Sequence, residues 1–264
     1  MTVLLITRLT LETSLLEYEL KSPATSVQSP PWNWWDIGKA LLLIFAGVIL
    51  MGVTIAGFGL ATGHDFSHAD KLSSAPLFMA ATGIYGFVLL AVYLFAVRRA
   101  GGSWAAVGLN GFDWHWLAMA PLLTALEFAG IAFINTQLLW RFTGEPFENP
   151  QIEAITGGMR LTKMDLFLLL LLVAIIAPVA EELFFRGMLY PLLRQRWGVV
   201  LAVVMSALIF GLVHLIPVLI PGLVFVGLLL GWVRQRSNSV VPGMIIHALQ
   251  NGIVIFGIYF ITNR

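Results

Sequence analysis

The sequence predicts an all-α protein, a polytopic bundle of about seven transmembrane helices, with six to eight as the range. Hydrophobic residues fill 59% of its 264 positions and charged residues only 11%. A soluble domain carries about 25% charged residues, because its surface faces water. Several apolar runs reach the roughly 20 residues that cross a bilayer as a helix. The net charge of +1 gives no reason to expect a nucleic-acid partner.

The predicted spans lie in a single domain, residues 32–264. Residues 1–31 form an N-terminal arm and linker that we expect to be partly disordered or interfacial, since charged and Ser/Pro-rich positions interrupt its apolar residues. The tryptophans of Trp32–Trp35 are typical of the headgroup level before a span. The predicted spans are Ile37–Ala61, Pro76–Val97, Trp116–Trp140, a segment from about Leu166 past Glu182, Val199–Ile216, Pro221–Val233 (short, or extended back through Val218) and Val240–Ile261.

Lysine and arginine residues predict the orientation of these spans. Cytoplasmic loops of membrane proteins carry the excess of positive charge. A cytoplasmic N-terminus places six arginines of the later loops on the inner side: Arg98, Arg99, Arg194, Arg196, Arg234 and Arg236. We therefore expect a multi-pass integral protein of the plasma (inner) membrane with its N-terminus in the cytoplasm.

The first polar cluster inside a span is a pair of adjacent glutamates, Glu181 and Glu182, with Arg186 four residues beyond the second. Charged side chains inside a membrane are costly unless they are paired or hydrated, so each is a functional hypothesis. Residues four apart share a helix face, which predicts a Glu182–Arg186 ion pair. Glu181 points about 100° away and is free to face a cavity. The alternative is that both carboxylates mark the end of a helix near the headgroups.

Two further clusters lie in later spans. His214 follows Phe210 by four residues, and Asn251 follows His247 by four. His247 and Asn251 therefore share one helix face and offer two N–H donors toward a common point, as a developing oxyanion requires. Taken singly, each cluster is also explained as a polar seam between helices. A carboxylate, two imidazoles and a carboxamide on three successive apolar segments are hard to explain by packing alone.

The three motifs Glu-Glu-x-x-x-Arg, Phe-x-x-x-His and His-x-x-x-Asn, in this order on successive helices, resemble those of the CAAX protease and bacteriocin-processing family. This family includes the type II prenyl-protein endopeptidases. The motifs match at Glu181–Arg186, Phe210–His214 and His247–Asn251, within a core at about residues 163–262. The resemblance implies an intramembrane protease in which Glu181, His214, His247 and Asn251 are catalytic.

In these implied roles Glu181 is the general base for a water molecule and His214 helps to hold that water. His247 and Asn251 stabilise the oxyanion, and Glu182, Arg186 and Phe210 give structural support. A metal-free mechanism is favoured slightly. The alternative is a Zn²⁺ site whose ligands are Glu181, His214 and His247, a set of two imidazoles and one carboxylate that suits this metal.

Other polar residues carry weaker hypotheses. Glu127, in the middle of the third span, and Ser206, four residues before Phe210, are candidates for lining the cavity. His64 and His68 are four apart in a loop, but no third ligand has an obvious spacing. A site at matching depth on two helices also requires the fourth helix to be long, and we expect it to continue past Pro178 through Leu193.

The sequence thus favours an intramembrane endopeptidase that acts on a membrane-associated or lipidated peptide. Its expected partners are membrane lipid and a peptide or protein substrate, with a prenylated protein as one option. One alternative is a non-catalytic membrane binding or immunity protein of the same fold. A proton-coupled transporter is less favoured, because the sequence has no evident inverted repeat.

Overall fold

The computed structural model describes residues 29–63, 71–144 and 148–264, and every regular element in these residues is helical, as predicted. The N-terminal arm up to residue 28 and the pair His64 and His68 lie outside the described residues. Within the described residues, six helical stretches are long and apolar enough to cross a membrane, and one of them contains a break. They supply seven helices: α1 (Trp34–Thr62), α2 (Ala75–Val97), α3 (His115–Gln137), α4 (163–197), α5 (199–212), α6 (Pro217–Ser237) and α7 (Val241–Thr262). The chain is an integral multi-pass membrane protein.

Polar contacts tie the start of α1 to the rest of the bundle. The Asn33 side chain accepts from the backbone N–H of Asp36 at 3.3 Å, and the Asp36 carboxylate accepts from the backbone N–H of Asn33 at 3.0 Å, which together form a capping box. Trp34 and Trp35 are exposed, as expected of headgroup anchors. Trp32 differs from that expectation, because its ring is buried and its Nε1 donates to the Met188 carbonyl on α4 at 2.9 Å.

The fourth helix is long, as predicted, and it continues past Pro178. Thr162 caps its first turn, and the helical path runs without interruption to Gly198. Two wider π-helical turns, Leu170–Ile176 and Leu183–Leu189, flank the segment Ala177–Glu182 that carries the glutamates. At Gly198 the backbone has φ 75° and ψ −179°, a conformation open almost only to glycine, and the chain turns there into α5.

Two predicted boundaries differ from the observed ones. Helix α5 ends at Leu212, so His214 lies in the turn after the helix rather than inside a span. Helix α6 begins with a 3₁₀ turn at Pro217, four residues before the predicted start, and it continues to Ser237. The sixth span is therefore long enough to cross a bilayer.

Helix α7 occupies a central position, because it packs against α3, α4 and α6, while α2 packs against α4. Helix α1 packs along α2 at the periphery. The start of α7 is fixed by the loop before α3: the Gly108 carbonyl accepts from the backbone N–H of Val240 at 2.8 Å. This arrangement brings the glutamates of α4 beside the polar face of α7.

Glycine allows α5 and α6 to approach closely. A Cβ atom added at Gly227 would lie 2.8 Å from the Ala207 Cα and 2.9 Å from its Cβ. Small residues at such positions let helix backbones meet, which is how helices associate within lipid. The Gly227 carbonyl also takes part in the site described below.

We expect Gly227→Val to destabilise the protein by about 1–3 kcal/mol, the usual cost of overpacking a tight core. The measurement is the midpoint of thermal unfolding in detergent. Gly86→Val is the matched control, because a Cβ atom added at Gly86 meets nothing within 4 Å. Equal unfolding midpoints for the two variants would show that α5 and α6 do not meet at Gly227.

Candidate active site

Glu181 lies on α4 with its side chain mostly buried, and two residues from other helices face its carboxylate. The Tyr85 hydroxyl on α2 donates to Oε1 at 3.0 Å. On α7, His247 Nε2 lies 3.8 Å from Oε2. The Glu181 carboxylate thus stands at a junction of α2, α4 and α7, in the interior of the bundle.

Glu182 and Arg186 form the predicted ion pair, and both side chains are fully buried. Arg186 Nη1 donates to Glu182 Oε1 at 2.8 Å, and its Nη2 donates to the Gly227 carbonyl at 3.1 Å. The guanidinium also lies 4.7 Å from the ring centroid of Phe210, a cation–π contact. Arg186 therefore links α4 to both α5 and α6, as a structural residue does.

His247 lies between the two glutamates. Its Nδ1 is 3.6 Å from Glu182 Oε1, on the side of the ring opposite the Nε2–Glu181 contact. The space for this arrangement depends on Gly243, where an added Cβ would lie 2.8 Å from Glu182 Oε2. A carboxylate only accepts hydrogen bonds, so a proton on either ring nitrogen of His247 points toward a carboxylate.

His214 is held at its Nδ1, which lies 2.7 Å from the Phe210 carbonyl oxygen. Because a carbonyl only accepts, Nδ1 carries the proton, and in the neutral ring Nε2 is left as an acceptor. The Phe210 ring contacts both imidazoles, with its centroid 4.9 Å from His214 and 5.8 Å from His247. No ion pair links His214 directly to Glu181 in the part of the chain that the structure describes.

Asn251 lies one turn beyond His247 on α7, and its Nδ2 donates to the Val173 carbonyl at 2.8 Å. Val173 belongs to the π-helical turn Leu170–Ile176, where the wider winding changes the backbone pairing. A carboxamide NH₂ has two protons, so Asn251 retains one donor after this bond. Its visible contact anchors α7 to α4.

Glu127 and Ser206 are both buried, and the described residues offer no hydrogen-bond partner to the oxygens of either side chain. The electrostatic neighbours of Glu127 are His247, Glu182 and Arg186. It therefore stands close to the glutamate–histidine cluster, on the side of α3. Neither Glu127 nor Ser206 contributes to the wall of the cavity that lies between α3, α6 and α7.

The described residues contain no group of three His, Asp or Glu side chains arranged to hold a metal ion. Glu181 and His247 are close, but His214 is directed to its own helix end. Glu181, His214 and His247 are therefore not gathered as the ligands of a Zn²⁺ site.

Tyr85 is the site residue that the sequence did not indicate. It is one aromatic residue within an apolar span, and nothing in its spacing connects it with the motifs a hundred residues later. Only the packing of α2 against α4 brings its hydroxyl to Glu181.

Residues 163–253 match the family model described as "Type II CAAX prenyl endopeptidase Rce1-like". The matched segment contains all three motifs and confirms the resemblance drawn from them. No curated protein and no solved structure is significantly similar to the chain.

Proposed function

We propose that this chain, whose residues 163–253 match the Rce1-like type II CAAX prenyl endopeptidase model, hydrolyses a peptide bond with a water molecule activated by Glu181. The observation that carries the proposal is the contact between Glu181 and His247, 3.8 Å apart at the buried junction of α4 and α7. The neighbouring Glu182 is neutralised by Arg186, which leaves Glu181 as the carboxylate available for proton transfer.

In the proposed reaction, Glu181 takes one proton from a bound water, and the resulting hydroxide attacks the carbonyl carbon of the scissile bond. The carbonyl oxygen becomes an oxyanion. When the tetrahedral intermediate collapses, the C–N bond breaks and Glu181 returns its proton to the leaving amine. General acid–base catalysis of this kind contributes about 10² to 10⁴-fold to a rate.

The other polar residues have complementary roles in this proposal. His214, with Nε2 as acceptor, helps to hold the water. The free N–H of Asn251 donates to the oxyanion as a donor fixed in advance. His247 also donates to it, through Nε2, once Glu181 has taken the proton from the water and lost its negative charge. We propose these steps without a metal ion, which is the mechanism that the sequence analysis favours slightly.

Tyr85 is proposed to fix the Glu181 carboxylate. We expect Tyr85→Phe to slow hydrolysis by about 10- to 100-fold, because a hydrogen bond to a charged group is worth roughly 1.5–3 kcal/mol. The initial cleavage rate of a peptide substrate is the measurement. Tyr93→Phe, at an exposed ring on the same helix, is the control and is expected to keep the full rate. A Tyr85→Phe enzyme as fast as the Tyr93→Phe enzyme would remove Tyr85 from the site.

The proposed substrate is a membrane-associated peptide, with a lipid-modified peptide favoured by a groove next to the site. This groove of about 200 Å³ lies between α4 and α7. The described residues that form its walls are all apolar, and they are Ala174, Ile175, Pro178, Val179, Met244, Ile245 and Ala248. An apolar chain in this groove would place the attached peptide near Glu181. A plasma-membrane location with a cytoplasmic N-terminus completes the proposal.

The test compares cells that carry the native protein with cells that carry Glu181→Gln at matched expression. Membrane and secreted peptides are profiled by mass spectrometry. A polypeptide that accumulates uncut only with Glu181→Gln supports the protease and identifies its substrate. If the two profiles are the same while a deletion has a phenotype, the chain is a non-catalytic binding or immunity protein.

A further inference from the structure

A cavity of about 250 Å³ lies between α3, α6 and α7, on the far side of the glutamate–histidine cluster from the start of α7. Four carboxamide side chains contribute to its otherwise apolar wall, and no charged residue does so within the described part of the chain. These carboxamides are Asn135, Asn149, Gln151 and Gln250. Carboxamides inside a membrane protein each offer donors and acceptors that need partners.

On each of the three helices, a residue at the inner end of the cavity lies within about one helical turn of a residue at or beside the reaction centre. On α7, Gln250 follows His247 by three residues and shares its face. On α6, Val226 precedes Gly227, the acceptor of Arg186. On α3, Ile131 follows Glu127 by four residues and shares its face.

Unpartnered polar atoms occupy the layer between this cavity and the site. Both Glu127 oxygens and the Thr124 hydroxyl are buried without a hydrogen-bond partner among the described residues. Groups of this kind are costly within a bilayer unless water meets them. A cavity of about 250 Å³ has room for about eight water molecules at ~30 Å³ each.

We propose that this cavity is a water-filled entrance that supplies the water molecule used in hydrolysis. Gln250 is the positioning residue at the inner end of the cavity. The buried Glu127 carboxylate binds water beyond that end. Water enters at the end of the bundle that holds Asn149 and Gln151. In the proposed orientation, this end lies on the outer side of the membrane. The lipid-facing groove between α4 and α7 then serves the substrate, and the two routes meet at Glu181. The role as a supply for hydrolysis rests on the proposed function, whereas the presence of water does not.

Single cysteines test the presence of water directly, because the chain contains no cysteine of its own. The variants Gln250→Cys and Gly222→Cys place a thiol on the cavity wall, and a Cβ at Gly222 meets only Ile131, at 3.8 Å. The reagent is a small charged methanethiosulfonate, added to membranes and counted by its mass on the intact protein. Ile253→Cys on the same helix is the control, because Ile253 is 52% exposed and does not line the cavity.

The expected result is labelling of Gln250→Cys and Gly222→Cys and none of Ile253→Cys. Adding Gly222→Leu to Gln250→Cys should fill the cavity and reduce labelling to the control level. If Gln250→Cys stays unlabelled in membranes but reacts after unfolding in detergent, the cavity holds lipid and the proposal is overturned. These labelling results are independent of any enzymatic activity.

The link to hydrolysis has its own readout. Gly222→Leu is expected to lower kcat and leave KM unchanged, because water but not peptide uses this route. A rise in KM at unchanged kcat would assign the cavity to the peptide and refute the water entrance. If the native protein cleaves no peptide, the proposed protease fails, and the labelling experiment still decides whether water fills the cavity.

Discussion

Replacing Glu181 with glutamine is expected to reduce the rate of peptide hydrolysis by about 10² to 10⁴-fold, the usual contribution of a general base. Glutamine has nearly the same shape and its carbonyl oxygen still accepts from Tyr85, so we expect the fold to be retained. A carboxamide, however, cannot take a proton from water. The measurement is kcat on the peptide that the cellular comparison identifies, together with the unfolding midpoint of the purified variant.

Glu153→Gln is the matched control for this experiment, because Glu153 is an exposed glutamate on the short helix Gln151–Thr156. It should retain the native rate. A Glu181→Gln enzyme that hydrolyses the peptide at the native rate would show that another group activates the water.

Replacing Arg186 with methionine is expected to destabilise the protein by about 3–5 kcal/mol, because it leaves the Glu182 carboxylate buried without a counter-charge. It also removes the donor to the Gly227 carbonyl and the contact with Phe210, which join α4 to α6 and α5. The expected observation is a strong loss of folded protein in detergent and a lower unfolding midpoint. Arg160→Met, at an exposed arginine, should have little effect.

The double variant Glu182→Met/Arg186→Met separates the ion pair from its two buried charges. An apolar pair in place of a buried ion pair is often neutral, so the double variant should recover much of the stability that Arg186→Met loses. If the double variant is as unstable as the sum of the two single variants, the cost lies in packing and not in the unpaired charge.

The sequence predicted the parts of the molecule that depend on local pattern. The apolar runs gave the spans, and the spacing of four residues between Glu182 and Arg186 gave their ion pair. The long fourth helix followed from a requirement of equal depth for residues on different helices. These predictions rest on helix geometry, which sequence spacing determines directly.

Other parts of the site depend on contacts between distant segments, and spacing carries no information on these. Tyr85 meets Glu181 across 96 residues of chain. Trp32 has the composition of a headgroup anchor, but its ring is buried and bonded to α4. Asn251 shares a helix face with His247, as expected. The carbonyl that it binds belongs to a π-helical turn, which no residue pattern predicted.

The two π-helical turns around the glutamate segment also bear on how chain length can vary among relatives. Each such turn is an α-helical turn with one inserted residue, and the helix segments on its two sides keep their alignment. A relative that lacks one residue within Leu170–Ile176 or Leu183–Leu189 can wind there as an ordinary α-helix and still present its glutamates to α7. The same deletion between Ala177 and Ala180 would rotate both glutamates by about 100° relative to the preceding helix and away from His247. In proteins that match the same family model, insertions and deletions are therefore expected at the two wide turns, and alignments of the first motif should place their gaps there.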